Sequence, residues 1–505
     1  MKKTDRTTDN CIYVYIDDES FSYDVHSLIK AFYPADDVRV SAHKTGDLLE
    51  EEGVCIDIVT SDSYISIRGK KYEIGMSVNS ERSAYKSELK RRLYRALADH
   101  TGRELPWGTL TGIRPTKLAM GCMEDGRSVA DTVSYMRDFY LCSEKKAVLA
   151  ADIAVREQKI MADIGDRETL ALGYSLYIGI PFCPTTCLYC SFMSYPIAAY
   201  RDAIDGYIDA VKKEIDYVAA DFAGRRLDSI YIGGGTPTTL SASQLKELIS
   251  YVSKRIDLSA IREFTVEAGR ADSIDEEKLK TLLALGVDRI SVNPQTMNED
   301  TLRLIGRRAT AAQTIEAYEL ARKVGFDNIN MDIILGLPGE NTDDVRHTLD
   351  IISGLRPDDL TVHALAVKRG SKLAELLVEG RKDIHDTDVC LRNTDIDYEE
   401  AMSLTEEAAN DMGLKPYYLY RQKNISGNLE NTGYARDGRA GIYNILMMEE
   451  VQDIVALGAG TVSKHVYTGS QAGRIERCDT HKDLKLYLEN IDEMIARKRR
   501  LFGEV

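Results

Sequence analysis

Strand-like and helix-like segments alternate six times between residues 175 and 378, and this pattern constrains the fold more than any other feature. The predicted strands are SLYIGI (175–180), DSIYI (228–232), EFTVEA (263–268), RISVN (289–293), NINMDIIL (328–335) and LTVHALAV (360–367). The predicted helices lie at about 199–222, 242–256, 275–285, 310–324, 342–353 and 371–378. Such alternation predicts parallel strands joined by right-handed crossovers, and therefore an α/β domain with an open barrel or a doubly wound sheet. In both folds, functional side chains collect at the carboxyl ends of the strands.

Other segments flank this region on both sides. Short stretches of alternating apolar and polar residues predict the strands of a small α+β domain at 12–16, 38–42, 54–59, 64–68 and 72–78. A helix is predicted at about 81–100, where Arg91, Arg92 and Arg95 form a solvated face. Trp107, the only tryptophan, is expected to be a packing anchor between domains. We predict an α+β domain over 1–105, a connector and helical segment over 106–170, an α/β barrel over 171–380 and a mainly helical C-terminal domain over 381–505.

Charge and hydropathy exclude several classes of function. The formal net charge of −16 argues against broad attachment to nucleic acid or to an anionic membrane, because both need a basic face. No run approaches the ~18 apolar residues of a membrane helix, and no apolar signal-peptide segment follows residues 1–11. We therefore expect a cytoplasmic protein. The nine cysteines are odd in number and dispersed, unlike the disulfide framework of a small secreted domain.

Three of the cysteines are clustered directly after the first predicted barrel strand. The segment YIGIPFCPTTCLYCSF (177–192) places Cys183, Cys187 and Cys190 in a C-x3-C-x2-C pattern. Thiolates suit iron–sulfur clusters, and three of them can hold three irons of a cubane while the fourth iron stays open to a cofactor. One alternative is structural zinc, which needs four ligands, and neither His363 nor Cys390 is an obvious fourth. The other alternative is a redox C-x-x-C pair, which leaves Cys183 unexplained.

This loop, at the end of a first barrel strand and with an aromatic residue before its last cysteine, resembles the signature of the radical S-adenosylmethionine (SAM) superfamily. The segment YIGIPFC, followed by C-x-YC, is similar to sequences of the oxygen-independent coproporphyrinogen III oxidase family. The segments LPWGTLTGIRPTK (105–117) and YYLYRQKNISGNLENTGY (417–434) resemble its HemZ-type branch. The resemblance implies a partial (β/α)6 barrel, a [4Fe-4S] cluster on the three cysteines, one or two SAM molecules and an electron donor such as flavodoxin or ferredoxin.

The resemblance also implies a set of SAM contacts, most of them at the ends of predicted strands. The turn IGGGTPT (232–238) follows the second strand, and its glycines let the backbone approach a ligand closely. A guanidinium suits the methionyl carboxylate, while acidic and amide side chains suit the amino group and ribose hydroxyls. For Tyr177, core packing is an equal alternative. The implied contacts are Tyr177, Tyr189, Gly234, Gly235, Thr236, Glu267, Gln295, Arg307, Asp332 and Ala366.

The reaction implied by the family is the oxidative decarboxylation of coproporphyrinogen III to protoporphyrinogen IX, a step of heme biosynthesis. Its tetrapyrrole substrate carries four carboxylates, for which Arg421, Lys423 and Arg436 are candidate partners, although they also fit solvated charges. The chain departs from the oxidase pattern at Phe192, where the oxidase has a fourth cysteine, and at Gly179, where it has histidine. The alternatives are a heme-binding chaperone of the same family, a radical SAM enzyme for another tetrapyrrole, and a zinc-stabilised interaction protein.

Overall fold

The amino-terminal strands form a mixed five-stranded sheet in the computed structural model, in the order β2-β1-β3-β4-β5. They are β1 (Cys11–Ile16), β2 (Asp37–Ser41), β3 (Gly53–Val59), β4 (Tyr64–Ile67) and β5 (Lys70–Glu73). The helices α1 (Ser22–Phe32) and α2 (Arg82–Thr101) share one buried apolar cluster with the sheet. Ile12 and Val14 contribute to this cluster from alternate positions of β1, as a half-buried strand requires. The predicted helix and the first four predicted strands are present, whereas the fifth strand, predicted at 72–78, lies at Lys70–Glu73.

The structure describes residues 11–34, 36–43, 53–76, 80–112, 114–368, 370–379, 396–421 and 429–503. Helices follow the first sheet as α3 (Pro115–Glu124), α4 (Val129–Tyr140), α5 (Glu144–Ile164) and α6 (Arg167–Leu172). Trp107 is fully buried, and its Nε1 donates to Glu430 Oε2 at 2.7 Å. Both residues belong to one compact unit, so Trp107 anchors two segments of that unit rather than two domains.

The predicted barrel strands are adjacent in a second sheet. The strands from residue 174 to 364 are β6 (Tyr174–Ile180), the two-residue β7 (Phe182–Cys183) and β8 (Tyr195–Pro196), β9 (Leu227–Gly234), β10 (Glu263–Glu267), β11 (Arg289–Ser291), β12 (Ile329–Leu335) and β13 (Asp359–Ala364). Strands β6 and β9 to β13 pair in parallel and in sequence order. This arrangement confirms the α/β class.

Helices lie between the parallel strands, and local capping fixes where several of them begin. The helices are α7 (Ile197–Tyr200), α8 (Ile204–Asp221), α9 (Ala242–Arg255), α10 (Glu276–Ala284), α11 (Glu299–Leu304), α12 (Ala311–Val324), α13 (Thr342–Leu355) and α14 (Lys372–Glu379). Capping boxes at Ser241, Thr310 and Asn341 start α9, α12 and α13. Each of these three helices begins within one residue of its predicted start, whereas α11 was not predicted.

The carboxyl-terminal region extends the barrel sheet at both edges. Its elements are α15 (Tyr398–Asp411), β14 (Lys415–Tyr420), β15 (Asn431–Ala435), α16 (Ile442–Glu449), β16 (Asp453–Leu457), β17 (Val462–Val466), β18 (Ile475–Asp479), α17 (Leu484–Glu489) and α18 (Ile491–Gly503). The sheet order is β14-β15-β13-β12-β11-β10-β9-β6-β16-β17-β18. Within the part of the chain that the structure describes, no pairing joins the two ends of this order, so the barrel is partial.

The division into compact units differs from the four predicted segments. One unit comprises 1–154 with 419–430, and the other comprises 155–418 with 431–505. The helices predicted after residue 381 are present, but the strands were not predicted. Since β16 pairs in parallel with β6, the region after residue 431 completes the barrel unit instead of forming a separate domain. No helix of the described ranges is both long and apolar enough to span a membrane.

Candidate functional site

The cysteine loop lies at the carboxyl end of β6, held between two other parts of the barrel unit. The backbone N–H of Leu188 donates to the Ile305 carbonyl at 2.9 Å, and the N–H of Leu373 donates to the Leu188 carbonyl at 2.9 Å. Cys187 is buried, while Cys183 and Cys190 are half-buried, and none of the three forms a disulfide. The loop therefore presents three thiols on a backbone that is fixed from both sides.

Two of these thiols each have a hydrogen-bonding side chain beside them. Arg270 is 4% exposed, and its Nη1 donates to Cys187 Sγ at 3.6 Å. The hydroxyl of Thr236 lies 3.5 Å from Cys183 Sγ. Burial raises the pKa of Cys183 to about 11, and the hydrogen bond from Thr236 opposes this rise. A metal must displace protons to bind such thiols, and the nearby guanidinium stabilises the thiolate that results.

Three thiols on one loop are a donor set that an iron–sulfur cluster can use. A [4Fe-4S] cluster binds each thiolate through a different iron, so the three cysteines can each hold one iron. A structural zinc ion would need a fourth ligand. Among the described ranges, no group of three or more His, Cys, Asp and Glu side chains that could hold a metal ion is found. Cys390, considered as a fourth zinc ligand, lies outside the described residues.

The glycine turn after β9 lies directly against the cysteine loop. The N–H of Gly235 donates to the Ile180 carbonyl at 2.7 Å, and the N–H of Thr236 donates to the Phe182 carbonyl at 2.7 Å. A Cβ atom on Gly235 would lie 2.6 Å from the Phe182 carbonyl oxygen and 3.0 Å from Cys183 Sγ. Gly234 has a φ of +108°, which also favours glycine. The turn thus requires glycine at both positions to approach the loop so closely.

Polar side chains from the next strands face the same end of the barrel. Glu267 ends β10 and accepts a hydrogen bond from Tyr231 at 2.7 Å. Burial raises the pKa of Glu267 to about 7, despite this hydrogen bond. Asp332 lies within β12 and accepts from Asn330 Nδ2 at 2.7 Å. This end of the barrel therefore carries two carboxyl groups, one of them near its titration point at neutral pH.

Two buried polar atoms at this end lack partners among the described residues. Gln295 Oε1 accepts no hydrogen bond, and the Gln295 backbone has a strained φ of +67°. Arg307 donates through Nη1 to the Asn293 carbonyl at 2.5 Å and through Nη2 to the Tyr189 hydroxyl at 3.4 Å, but its Nε has no acceptor. Backbone strain and unsatisfied buried groups concentrate at ligand sites. These atoms therefore fit a polar ligand.

Tyr177 belongs to a stack of three tyrosines inside the barrel unit. Its ring centroid lies 6.0 Å from that of Tyr231, with an interplanar angle of 15°. Tyr231 stacks in turn on Tyr443 from α16, at 4.7 Å and 26°. The stack supports the packing interpretation of Tyr177 and also places its ring beside Tyr231, the partner of Glu267. Ala366 follows β13. Its neighbour Leu365 belongs to the apolar cluster against which Val367 and Tyr189 pack.

The two departures from the oxidase pattern have different surroundings. A Cβ atom on Gly179 would lie 2.5 Å from Thr461 Cγ2, and Thr461 is buried and hydrogen-bonded to the Gly458 carbonyl. A histidine therefore does not fit at this position without rearrangement. Phe192 is instead 69% exposed, and Lys368 Nζ lies 5.4 Å from its ring centroid.

The predicted substrate cations are not gathered at this site. Arg421 belongs to the amino-terminal unit, where it donates to the Leu110 carbonyl at 2.6 Å and lies over the Trp107 ring. Arg436 lies 3.7 Å from Asp358, at the start of β13. Lys423 lies outside the described residues. The sequence analysis missed Arg270, Tyr231 and Tyr443. Tyr231 could have been found, because it lies opposite Tyr177 on the neighbouring strand.

A partial parallel barrel whose first strand ends in a three-thiol loop defines the class of radical SAM proteins. Residues 177–352 match the family model described as the Radical SAM superfamily. The chain is 34% identical over 509 residues to the oxygen-independent coproporphyrinogen-III oxidase-like protein HemZ of Bacillus subtilis (strain 168), an alignment that covers 97% of each chain. The chain therefore belongs to the family of this oxidase-like protein.

Other relatives match a smaller share of the chain. The heme chaperone HemW of Bacillus subtilis (strain 168) is 36% identical over 41% of this chain and 54% of its own length. The oxygen-independent coproporphyrinogen III oxidase of Escherichia coli (strain K12) is 32% identical over 37% of this chain and 41% of its own. The solved structure of coproporphyrinogen III oxidase (HemN) from Escherichia coli is 23% identical and covers 66% of this chain and 74% of that one, with a TM-score of 0.49.

Proposed function

We propose that the chain is a radical SAM oxidoreductase that decarboxylates the propionate groups of coproporphyrinogen III oxidatively to give protoporphyrinogen IX. The observation that carries this proposal is the fixed loop with Cys183, Cys187 and Cys190, which packs against the Gly235 turn and receives a hydrogen bond from Arg270. Membership of the family of the oxidase-like protein HemZ supports the substrate class. The proposal includes a cytoplasmic location.

Several side chains of the site have a role in this proposal. The three cysteines hold a [4Fe-4S] cluster as thiolates, and Arg270 stabilises the charge on Cys187. Arg307 and Gln295 offer their unpartnered atoms to the methionyl part of SAM, while Glu267 and Asp332 accept from its amino and hydroxyl groups. When bound, the cluster and one or two SAM molecules supply the one-electron chemistry that removes a hydrogen atom from the substrate. The glycine turn keeps its backbone close to the cysteine loop.

A heme-binding chaperone on the same scaffold is the second candidate. Two observations favour it: Phe192 replaces the fourth cysteine of the oxidase pattern, and the packing of Thr461 against Gly179 leaves no room for the histidine. The heme chaperone HemW of Bacillus subtilis (strain 168) is also 36% identical over 208 residues. A third candidate function is action on another tetrapyrrole, and the product analysis described below bears on it as well.

Anaerobic reconstitution tests the cluster assignment. We expect about four irons per chain in the wild-type protein, because a cubane contains four. Cys187→Ser is expected to lose the cluster, whereas Cys478→Ser, a half-buried cysteine outside the loop, is the matched control and should retain it. Zinc without iron in the wild-type protein would overturn the assignment and favour the zinc-stabilised alternative.

Product analysis then separates the two functions. The reconstituted protein is incubated without oxygen with SAM, a reductant and either coproporphyrinogen III or heme. Release of CO2 with formation of vinyl groups supports the oxidase. Stable heme binding without turnover of coproporphyrinogen III supports the chaperone and overturns the first proposal.

A further inference from the structure

Arg270 lies at a short turn that is held in place independently of the cysteine loop. It directly precedes the 3-10 helix Ala271–Ser273, three residues after the end of β10. The backbone N–H and the hydroxyl of Ser273 donate to the Arg270 carbonyl at 2.9 and 2.7 Å. The Ser273 hydroxyl also lies 2.6 Å from that of Thr238, at the end of the glycine turn. The backbone of Arg270 is therefore fixed by contacts that do not involve the thiols.

Asp272 fixes the plane of the Arg270 guanidinium. Its carboxylate accepts a hydrogen bond from Nε at 3.0 Å and another from Nη2 at 2.9 Å. Because the guanidinium is planar, a contact with two of its nitrogens leaves the group one orientation. The third nitrogen, Nη1, is directed at the cysteine loop in this orientation.

The cysteine loop receives three hydrogen bonds from this guanidinium. Nη1 donates to Cys187 Sγ at 3.6 Å and to the Thr185 carbonyl at 3.2 Å, and Nη2 donates to the Thr185 hydroxyl at 3.1 Å. Arg307 also lies near Cys187, but its Nη1 donates to a backbone carbonyl and its Nη2 to the Tyr189 hydroxyl. Arg270 thus holds one thiol and the loop backbone beside it at the same time.

We propose that the Arg270–Asp272 pair sets the reduction potential of the cluster on the cysteine loop. This inference rests on the proposed function, because it concerns the cluster assigned there. Reduction moves one electron from an external reductant to the cluster, and no bond forms or breaks. The guanidinium and its N–H donor to Cys187 stabilise the added negative charge, so Arg270 raises the potential. The Asp272 carboxylate partly neutralises the guanidinium and limits this rise.

The burial of the pair strengthens its effect on the cluster. The side chains of Arg270 and Asp272 are 5% and 18% exposed, so solvent and salt screen their charges little. Hydrogen bonds to the sulfur ligands, net charge and solvent exposure all contribute to the potential of an iron–sulfur cluster. Cys183, by comparison, lies beside the neutral hydroxyl of Thr236. The pair therefore determines how strong a reductant the protein needs.

A redox titration of the reconstituted protein, without SAM or a tetrapyrrole, tests the proposal. Dithionite and redox dyes set the potential anaerobically, and visible absorbance gives the ratio of reduced to oxidised cluster. At the wild-type midpoint we expect Arg270→Met to lower this ratio about tenfold, which corresponds to about 59 mV for one electron. Asp272→Asn keeps the side-chain shape but removes the charge, so it should raise the ratio about threefold. Arg303→Met on α11, where the arginine side chain is 73% exposed, is the matched control and should change the ratio less than twofold.

The opposite shifts expected for the two variants distinguish this role from a merely structural one, because a damaged loop would not raise the ratio in Asp272→Asn. An unchanged or lowered ratio in Asp272→Asn would overturn the proposal, and so would a ratio within twofold of wild type in Arg270→Met. If Arg270→Met binds no iron, the result for Asp272→Asn decides alone. Zinc instead of iron in the wild-type protein would overturn this inference together with the proposed function, whereas an iron cluster with an unresponsive potential would overturn this inference only.

Discussion

Burial and one hydroxyl group have opposite effects on the ionisation of Glu267. Burial raises the pKa of this carboxyl group to about 7, and the hydrogen bond from the Tyr231 hydroxyl opposes the rise. The folded pKa lies above that of an unfolded glutamate, so this group's favourable contribution to stability is lost as the pH rises through about 7. Without the hydroxyl, the carboxylate has lost its hydrogen-bond donor. The loss of stability at high pH should therefore be larger.

Tyr231→Phe should therefore destabilise the protein more at pH 8.5 than at pH 6. Hydrogen bonds to charged groups contribute more than neutral ones, so the extra loss in the free energy of unfolding should be about 1 kcal/mol. Urea unfolding at the two pH values measures it. Tyr251→Phe is the matched control, because its hydroxyl donates to Asp216, whose side chain is 43% exposed. An equal loss at both pH values in Tyr231→Phe would contradict the argument.

At the scale of elements, one buried glutamate joins the last two helices to the start of the barrel. Glu214 on α8 pairs with Lys498 on α18 and accepts from the Tyr487 hydroxyl on α17 at 2.6 Å. It also accepts from the Gly458 N–H at 2.7 Å, in the turn after β16. That turn contacts the end of β6, where the Tyr207 hydroxyl donates to the Gly179 carbonyl at 2.5 Å. The carboxyl-terminal helices thus support the strand that carries the cysteine loop.

Replacing Lys498 by methionine should leave Glu214 as an unpaired buried charge. Both side chains are fully buried, and removing one partner of such a pair costs about 3–5 kcal/mol. The midpoint of urea unfolding, followed through the absorbance of the cluster, should fall accordingly. Lys485→Met, with a side chain that is 81% exposed, should leave the midpoint nearly unchanged. The double change Glu214→Gln with Lys498→Met should recover part of the loss, and no recovery would contradict the assigned charge pairing.

At the scale of the whole molecule, the elements predicted from sequence were those with local signals. The strands that precede the capping residues Ser241 and Asn341 could be recognised from apolar runs close to helix starts. The position of β16 could not be predicted from the sequence. Its partner β6 lies far away along the chain, and the five residues of β16 resemble any other buried apolar run. The same limit applies to the site: the cysteine loop and the glycine turn are contiguous motifs, whereas the contact of Arg270 with Cys187 depends on the tertiary fold.

The amino-terminal unit is formed by two separate stretches of the chain, and one residue can report its unfolding. Glu430 belongs to this unit, where it accepts from Trp107 Nε1 and pairs with Lys146, and both side chains of the pair are buried. Because Trp107 is the only tryptophan, its fluorescence reports this unit alone, whereas cluster absorbance reports the barrel unit. Glu430→Gln keeps the shape of the side chain but removes the negative charge that pairs with Lys146, and breaking a buried ion pair in this way costs about 3–5 kcal/mol.

We therefore expect Glu430→Gln to lower the urea midpoint seen by tryptophan fluorescence more than the midpoint seen by cluster absorbance. Glu449→Gln, a half-buried glutamate at the end of α16 in the barrel unit, is the comparison variant and should leave the fluorescence midpoint in place. Equal shifts of both midpoints in Glu430→Gln would mean that the two units unfold as one cooperative body. In that case the role of residues 419–430 would be to stabilise the whole chain rather than to complete its first unit.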